Sequence, residues 1–187
     1  MKVLISKWLP LQGNHVLKRR LTSLLQISDS LITSCSLADD WSQQAEFYNC
    51  CGPTEVTIVN TMHRHKAGAE LTIGKPVPNT RVYILDENEQ PVPIGATGSM
   101  WVGGAAVSRG YLNLPELTAT RYKYDRFRDD GLCSSFLNCI SSLTLNLRSR
   151  MFNTGDLCRW RPDGSIFHEG RADDQVKIKV ECCYTNL

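Results

Sequence analysis

Between two apolar runs of this 187-residue chain stands the string Asn49-Cys50-Cys51-Gly52-Pro53-Thr54-Glu55. It constrains the fold more than any other stretch. Gly52 lets backbone come close to a ligand, and Pro53 stiffens the turn that follows. Thr54 can donate to a phosphate oxygen, and Glu55 can hold a hard cation such as Mg²⁺. The string supports two readings. One is a phosphate-and-metal corner at the end of a strand. The other is a helix start, with Thr54 as N-cap and Glu55 in the first turn.

The surrounding pattern places that corner in an α/β fold. Val16, Leu17, Leu21, Leu24 and Leu25 recur at helical spacing with Lys18, Arg19 and Arg20 largely on the other side, which predicts an amphipathic helix. Residues 31–33 read as a short buried strand, 37–44 as a helix and 46–48 as a strand leading into the corner. A strand, a ligand-bearing loop and a helix are how an α/β sheet presents a site at its carboxyl edge. Beyond residue 62 the chain becomes β-rich. Strands are expected at 82–85, 97–102, 110–112, 157–160 and 166–168, with turns at 86–90 and 162–164 and a proline-opened helix over 115–122. This half reads as a small sheet or barrel.

Composition excludes several classes. Net charge is +2 with acids and bases interspersed, so no basic footprint for nucleic acid and no polybasic membrane patch is present. No run reaches the ~18 apolar residues of a membrane span. Eight cysteines fall at 35, 50, 51, 133, 139, 158, 182 and 183, without a Cys-x-x-Cys, which fits neither a zinc site nor a secreted disulfide framework. Residues 1–11 are interrupted by Lys7 and Pro10 and make a poor signal peptide. A reduced, cytoplasmic location is expected. His63 and His65, two apart, suit either a strand face that binds metal or a solvated loop. Trp101 and Trp160 are expected in the core.

Three further strings follow the corner in order. They are Gly98-Ser99-Met100-Trp101-Val102-Gly103-Gly104 running into Ser108-Arg109-Gly110-Tyr111-Leu112, then Asn153-Thr154-Gly155-Asp156-Leu157, then Gly170-Arg171-Ala172-Asp173-Asp174-Gln175-Val176-Lys177-Ile178-Lys179. Together the four resemble the adenylation domains of non-ribosomal peptide synthetases, within the acyl-adenylate-forming, or AMP-binding, superfamily. The resemblance covers roughly residues 31–131 and 150–179, and residues 52–122 look most like fungal synthetases.

The resemblance implies ATP-dependent activation of an amino or related carboxylic acid, which attacks the α-phosphate of ATP. The acyl-AMP is then captured on the thiol of a carrier-protein domain. An acyl-CoA ligase and a non-catalytic remnant are the alternatives. ATP and Mg²⁺ are the implied cofactors. Thr54 would contact phosphate and Glu55 would help bind Mg²⁺, as the catalytic pair. The motif places Asn49 and Cys51 at the nucleotide, Cys51 standing where the family stacks an aromatic on adenine, although a thiol offers little flat π-surface. Asp156 matches the carboxylate that accepts both ribose hydroxyls, although a Gly-Asp pair alone is also an ordinary turn. Arg171 matches the arginine that reaches the nucleotide. Cys50, Ile58 and Val59 fall at pocket positions and suggest an uncharged substrate group, while burial in a helix core would explain Ile58 and Val59 equally well. Asp173 matches the hinge of the small domain. Arg109 matches a position without a firm catalytic role.

The implied architecture is the C-terminal part of a large domain over 1–172, a sheet edge plus a small β-barrel-like subdomain. A truncated start of the small mobile domain would occupy 173–187. Ser99 replaces the family's usual Glu, and Val180 replaces a Gly. The Ser/Thr/Gly-rich phosphate loop and the distal lysine lie outside these residues, so this chain by itself is expected to be an inactive fragment. Residues 132–149 interrupt the pattern. No charge occurs from 132 to 147, where Leu132, Phe136, Ile140, Leu143 and Leu147 share one helical face. This insertion reads as a translated intron or similar gene-model error, and 180–187 likewise. Sequencing spliced message across both points is expected to show them absent; mature message that retains both would overturn that reading.

Overall fold

The computed structural model describes the backbone of residues 23–27 and all atoms of residues 35–128 and 150–172. Nine strands and two α-helices lie among them, in two sheets.

The first sheet is built around β2 (Glu46–Cys51), whose alternating burial ends in three consecutive buried residues. β1 (Ser23–Ile27) pairs with it in parallel, and β3 (Thr61–His65) and the two-residue β4 (Lys75–Pro76) extend the sheet antiparallel, in the order β1-β2-β3-β4. The β2–β3 register sets Phe47 opposite His65, Asn49 opposite His63 and Cys51 opposite Thr61, so these six side chains share one face. Helix α1 (Cys35–Ser42) covers its end, burying Ala38 against Phe47.

The second sheet contains β5 (Thr80–Leu85), β6 (Gly98–Gly104), β7 (Tyr122–Tyr124), β8 (Arg150–Trp160) and β9 (Ile166–Arg171), all paired antiparallel. β8 is the axis. One edge pairs with β6, while the other pairs with β7 at its start and β9 at its end. Helix α2 (Pro115–Arg121), opened by proline at its first turn, leads directly into β7.

The two sheets share one core. Cys51, Val56 and Ile73 pack with Ile84, Met100, Val102, Phe152, Cys158 and Ile166. Backbone stitches them as well, because Ile73 N donates to Ile166 O at 3.1 Å and Ile166 N to Gly74 O at 2.8 Å. Gly74 has φ +81°, and a Cβ there would lie 2.0 Å from Met62 O. Only glycine lets the chain pass so close to β3 while bridging to β9.

The α/β expectation and the β-rich second half stand, with four local differences. Leu24 and Leu25 lie in β1 rather than in a helix, because parallel pairing with β2 overrides the local apolar spacing. Residues 16–22 of the expected helix, the strand at 31–33 and the insertion at 132–149 lie outside the described residues. Residues 110–112 form a loop, since Gly110 turns at φ +131° and the Tyr111 N–H goes to Thr118 Oγ1. Thr54 starts no α-helix. A single 3-10 turn, Thr54–Val56, follows Pro53 and stops where Thr57 and Ile58 turn left-handed, at φ 61° and 72°. Ile58 is therefore not helix core, and it is half exposed. Finally, His63 and His65 sit on the inner face of β3 rather than in a solvated loop.

Gly74 and Gly68 offer a controlled comparison. Both have φ near +80°, but nothing lies within 4 Å of a Cβ at Gly68. Gly74→Ala should lose at least about 2 kcal/mol more stability than Gly68→Ala in urea unfolding, because it adds overpacking to the same backbone strain. Equal losses would show that the Met62 approach is not a constraint.

Candidate functional site

Two segments of the chain bring together the side chains that carry chemistry. The first is the corner after β2. Asn60 N donates to Cys51 O at 2.8 Å and Ile58 N to Pro53 O at 3.2 Å, which folds residues 52–60 back on themselves. Gly52 is required here, because a Cβ would meet Ile58 O at 2.6 Å and Asn60 N at 2.7 Å. Thr57 and Ile58 are β-branched residues at positive φ, each costing roughly 1–3 kcal/mol. Strain of that kind is retained where surrounding contacts enforce it, and it concentrates at functional sites. Thr54 is exposed and Glu55 half-buried. They offer a hydroxyl and a carboxylate, the hard oxygen donors that suit Mg²⁺ and phosphate.

The second segment is a bulge in β8. Between Ser99 and Trp101, two steps along β6 are matched by four along β8, from Leu157 to Asn153. Thr154, Gly155 and Asp156 together stand opposite Met100, two residues more than regular pairing, with Gly155 at φ +77°. A bulge re-aims side chains and ends regular pairing. Here it is held by its own polar groups. Thr154 Oγ1 donates to Met100 O at 3.0 Å and accepts from Asp156 N at 3.1 Å, while Asn153 Oδ1 accepts from Gly155 N at 2.9 Å.

The bulge presents Asp156 to β9. Arg171 Nη1 donates to Asp156 Oδ1 at 3.3 Å and to Thr154 O at 3.1 Å, and His168 Nε2 stands 3.3 Å from the same Oδ1. Neither contact uses Oδ2. A Cβ on Gly155 would lie 2.9 Å from Arg171 Nη2 and 3.2 Å from Arg121 Nη1, so two guanidinium groups crowd over one glycine. That is a cationic setting suited to an anionic ligand.

Cys51 is 3% exposed and packs in the shared core, so it presents no surface to a flat ring. Cys50 is fully buried, on the opposite face of β2, and burial pushes its thiol up to about 11. Asn49 is buried and donates its amide to Thr72 O at 2.9 Å. Val59 is half-buried beside the half-exposed Ile58. Trp101 is buried and Trp160 packs against the core. Asp173 lies outside the described residues. His65 Nε2 is 2.7 Å from Asp39 Oδ1, which also accepts from Gly68 N. These bonds hold the Asp39 carboxyl below its usual range. That histidine ties α1 to β3. Among the described residues, no group of three His, Cys, Asp or Glu side chains is placed to hold a metal ion. No described helix is long and apolar enough to cross a membrane.

Sequence reasoning missed Arg121, His168 and Tyr111. Arg121 closes α2 and reaches the bulge only through the fold. His168 stands three residues before Arg171 on β9, a spacing with no motif to flag it. Tyr111 donates its hydroxyl to Glu55 Oε1 at 2.7 Å across 56 residues of sequence. Burial, followed by this bond to Glu55, raises the phenol's pKa and keeps it protonated.

Comparison with known proteins gives this geometry a context. Residues 14–112 match the family described as AMP-binding enzyme. Two adenylate-forming reductases of Coprinopsis cinerea are 54% and 51% identical over 142 and 144 residues, which cover 76% and 77% of this chain. The chain spans 12% of the length of each. Tyrocidine synthase 3 of Brevibacillus parabrevis is 43% identical over 135 residues, covering 72% of this chain and 2% of that protein. The crystal structure of a four-domain nonribosomal peptide synthetase bound to AMP and glycine superposes with a TM-score of 0.64 at 30% identity, over 83% of this chain and 10% of that one. The chain belongs to the AMP-binding enzyme family, beside the adenylation regions of nonribosomal peptide synthetases and adenylate-forming reductases.

Proposed function

We propose that this chain contributes the nucleotide corner of an ATP-dependent enzyme that activates an amino or related carboxylic acid as acyl-AMP, for transfer to the thiol of a carrier-protein domain. The observation that carries this reading is the placement of Asp156 on a self-braced bulge of β8, against Arg171 of β9 and on a core shared with the Thr54–Glu55 turn. Asp156 would accept ribose hydroxyls, its Oδ2 being outside the contacts with Arg171 and His168. Arg171 and Arg121 would hold the anionic part of the nucleotide. Thr54 would donate to a phosphate oxygen. Glu55 would hold Mg²⁺, which when bound neutralises phosphate charge. In this reading Cys51 lends no stacking surface, so adenine rests on other groups.

The acid would sit near Cys50, Ile58 and Val59, which favours an uncharged side group. Residues 1–172 would belong to the large domain and those from 173 onward to a small mobile domain that swings about Asp173. ATP use and the lack of a long apolar helix among the described residues are consistent with a cytoplasmic setting.

A second reading concerns the fate of the acyl group. The two adenylate-forming reductases are 54% and 51% identical, against 43% for the tyrocidine synthase. That order favours an acid that is reduced after activation over one that is built into a peptide.

Calorimetric titration of ATP with Mg²⁺ into the 187-residue chain tests the proposal. Binding is expected, and Asp156→Ala should weaken it about 10–100-fold, the range expected when a hydrogen bond to a charged group is lost. An unfolding curve of the variant separates lost binding from lost fold. No binding by the parent chain, or equal binding by the folded variant, would contradict the assignment.

A further inference from the structure

The string Ser108-Arg109-Gly110-Tyr111 has no role in the chemistry above, yet its loop is tied to the corner at three points. Ser108 N donates to Glu55 O at 2.8 Å, Tyr111 OH to Glu55 Oε1 at 2.7 Å, and Thr57 Oγ1 to Ala106 O at 2.8 Å. Glu55 is thus gripped through both its backbone and its side chain by a segment more than fifty residues away. The grip is itself braced. Tyr111 N donates to Thr118 Oγ1 at 2.9 Å, the Tyr111 ring packs edge-on against Tyr122 at 5.6 Å, and Tyr122 OH exchanges a 2.7 Å hydrogen bond with Ser108 Oγ. Gly110 turns at φ +131°, where a Cβ would strike Thr118 Cγ2 at 2.4 Å, so the loop has no slack at the residue before Tyr111.

We propose that Tyr111 is a positioning residue for Glu55, fixing one carboxylate oxygen so that the other is aimed at a divalent cation. The inference rests on the reading of Glu55 as the Mg²⁺ carboxylate. The chemistry suits the task. A carboxylate on a flexible two-methylene stem loses rotamer freedom when it binds a metal, and a fixed phenol donor removes that freedom in advance. The phenol is neutral, so it orients Glu55 without cancelling the charge that attracts the cation. Hydrogen-bond partners of metal-ligating carboxylates typically change metal affinity by about 10–100-fold when removed.

The test is calorimetric titration of ATP at stepped Mg²⁺ concentrations with the 187-residue chain, Tyr111→Phe and Glu55→Gln. Phenylalanine keeps the ring against Tyr122 and removes only the donor. In Tyr111→Phe, the Mg²⁺ concentration for half-maximal nucleotide binding should rise about tenfold. Affinity at saturating Mg²⁺ should stay close to that of the parent, and Glu55→Gln should lose the Mg²⁺ dependence. Thr118→Val keeps the methyl beside Gly110 but frees the Tyr111 N–H, and it should give a smaller rise in the same direction. It serves as the reporter should Tyr111→Phe fold poorly.

Four results would overturn the inference. Loss of Mg²⁺ dependence in Glu55→Gln with unchanged midpoints in Tyr111→Phe and Thr118→Val would reject the role of Tyr111 and leave the nucleotide reading standing. A lower melting temperature in those variants without a shifted midpoint would make the contact structural only. Mg²⁺ dependence that survives in Glu55→Gln, or a parent chain that binds no nucleotide, would reject the reading of the corner and this inference with it.

Discussion

The pair of backbone hydrogen bonds joining Ile73 and Gly74 to Ile166 is the junction on which the rest of the structure hangs. Neither sheet alone has enough residues to bury the apolar face it turns to the other. Joined at Gly74, the sheets place Cys51 and Val56 of one against Met100, Cys158 and Ile166 of the other. The result is a single core beneath two ligand-bearing segments. Thr54 and Glu55 leave that core at the end of β2, and Thr154 to Asp156 leave it from the middle of β8. Relative placement of the two segments is therefore set by packing rather than by either loop.

Both segments depart from regular backbone where they carry function. The corner holds Thr57 and Ile58 at positive φ, and β8 spends two extra residues on its bulge. Such departures cost stability, and local hydrogen bonds offset them: Asn60 to Cys51 at the corner, Thr154 to Met100 at the bulge. The loop ending at Tyr111 adds a long-range brace. Orientation of this kind is what acyl and phosphoryl chemistry needs from a protein, since reacting groups gain most from fixed placement and preorganised charge.

Much of this was legible in the sequence, and the limits have physical causes. The strand entering the corner, the strand at 98–104, the proline-led helix and the turn at 162–164 all follow from short-range signals: short apolar and aromatic runs such as Phe47-Tyr48 and Met100-Trp101-Val102, Gly-Pro and Asp-Gly pairs, and Pro115 in the first turn. β1 was not legible, because Leu24 and Leu25 fit a helical spacing and become a strand only by pairing with β2. The corner's single 3-10 turn was hidden as well, since Thr54-Glu55 is good helix-start chemistry and the left-handed Thr57 and Ile58 carry no glycine to announce them. In the site, Asp156 and Arg171 were found by motif. Arg121, His168 and Tyr111 were missed because their roles arise from contacts across tens of residues or across strands, which spacing alone does not encode.

The account's central claim is that the Thr54–Glu55 corner and the Thr154–Asp156 bulge form one nucleotide site on one core. Hydrogen–deuterium exchange on the 187-residue chain, with and without ATP and Mg²⁺, tests it most directly. Peptides covering residues 52–60 and 153–158 should gain protection together at the same nucleotide concentration. Protection of only one of them, or of neither, would contradict the claim.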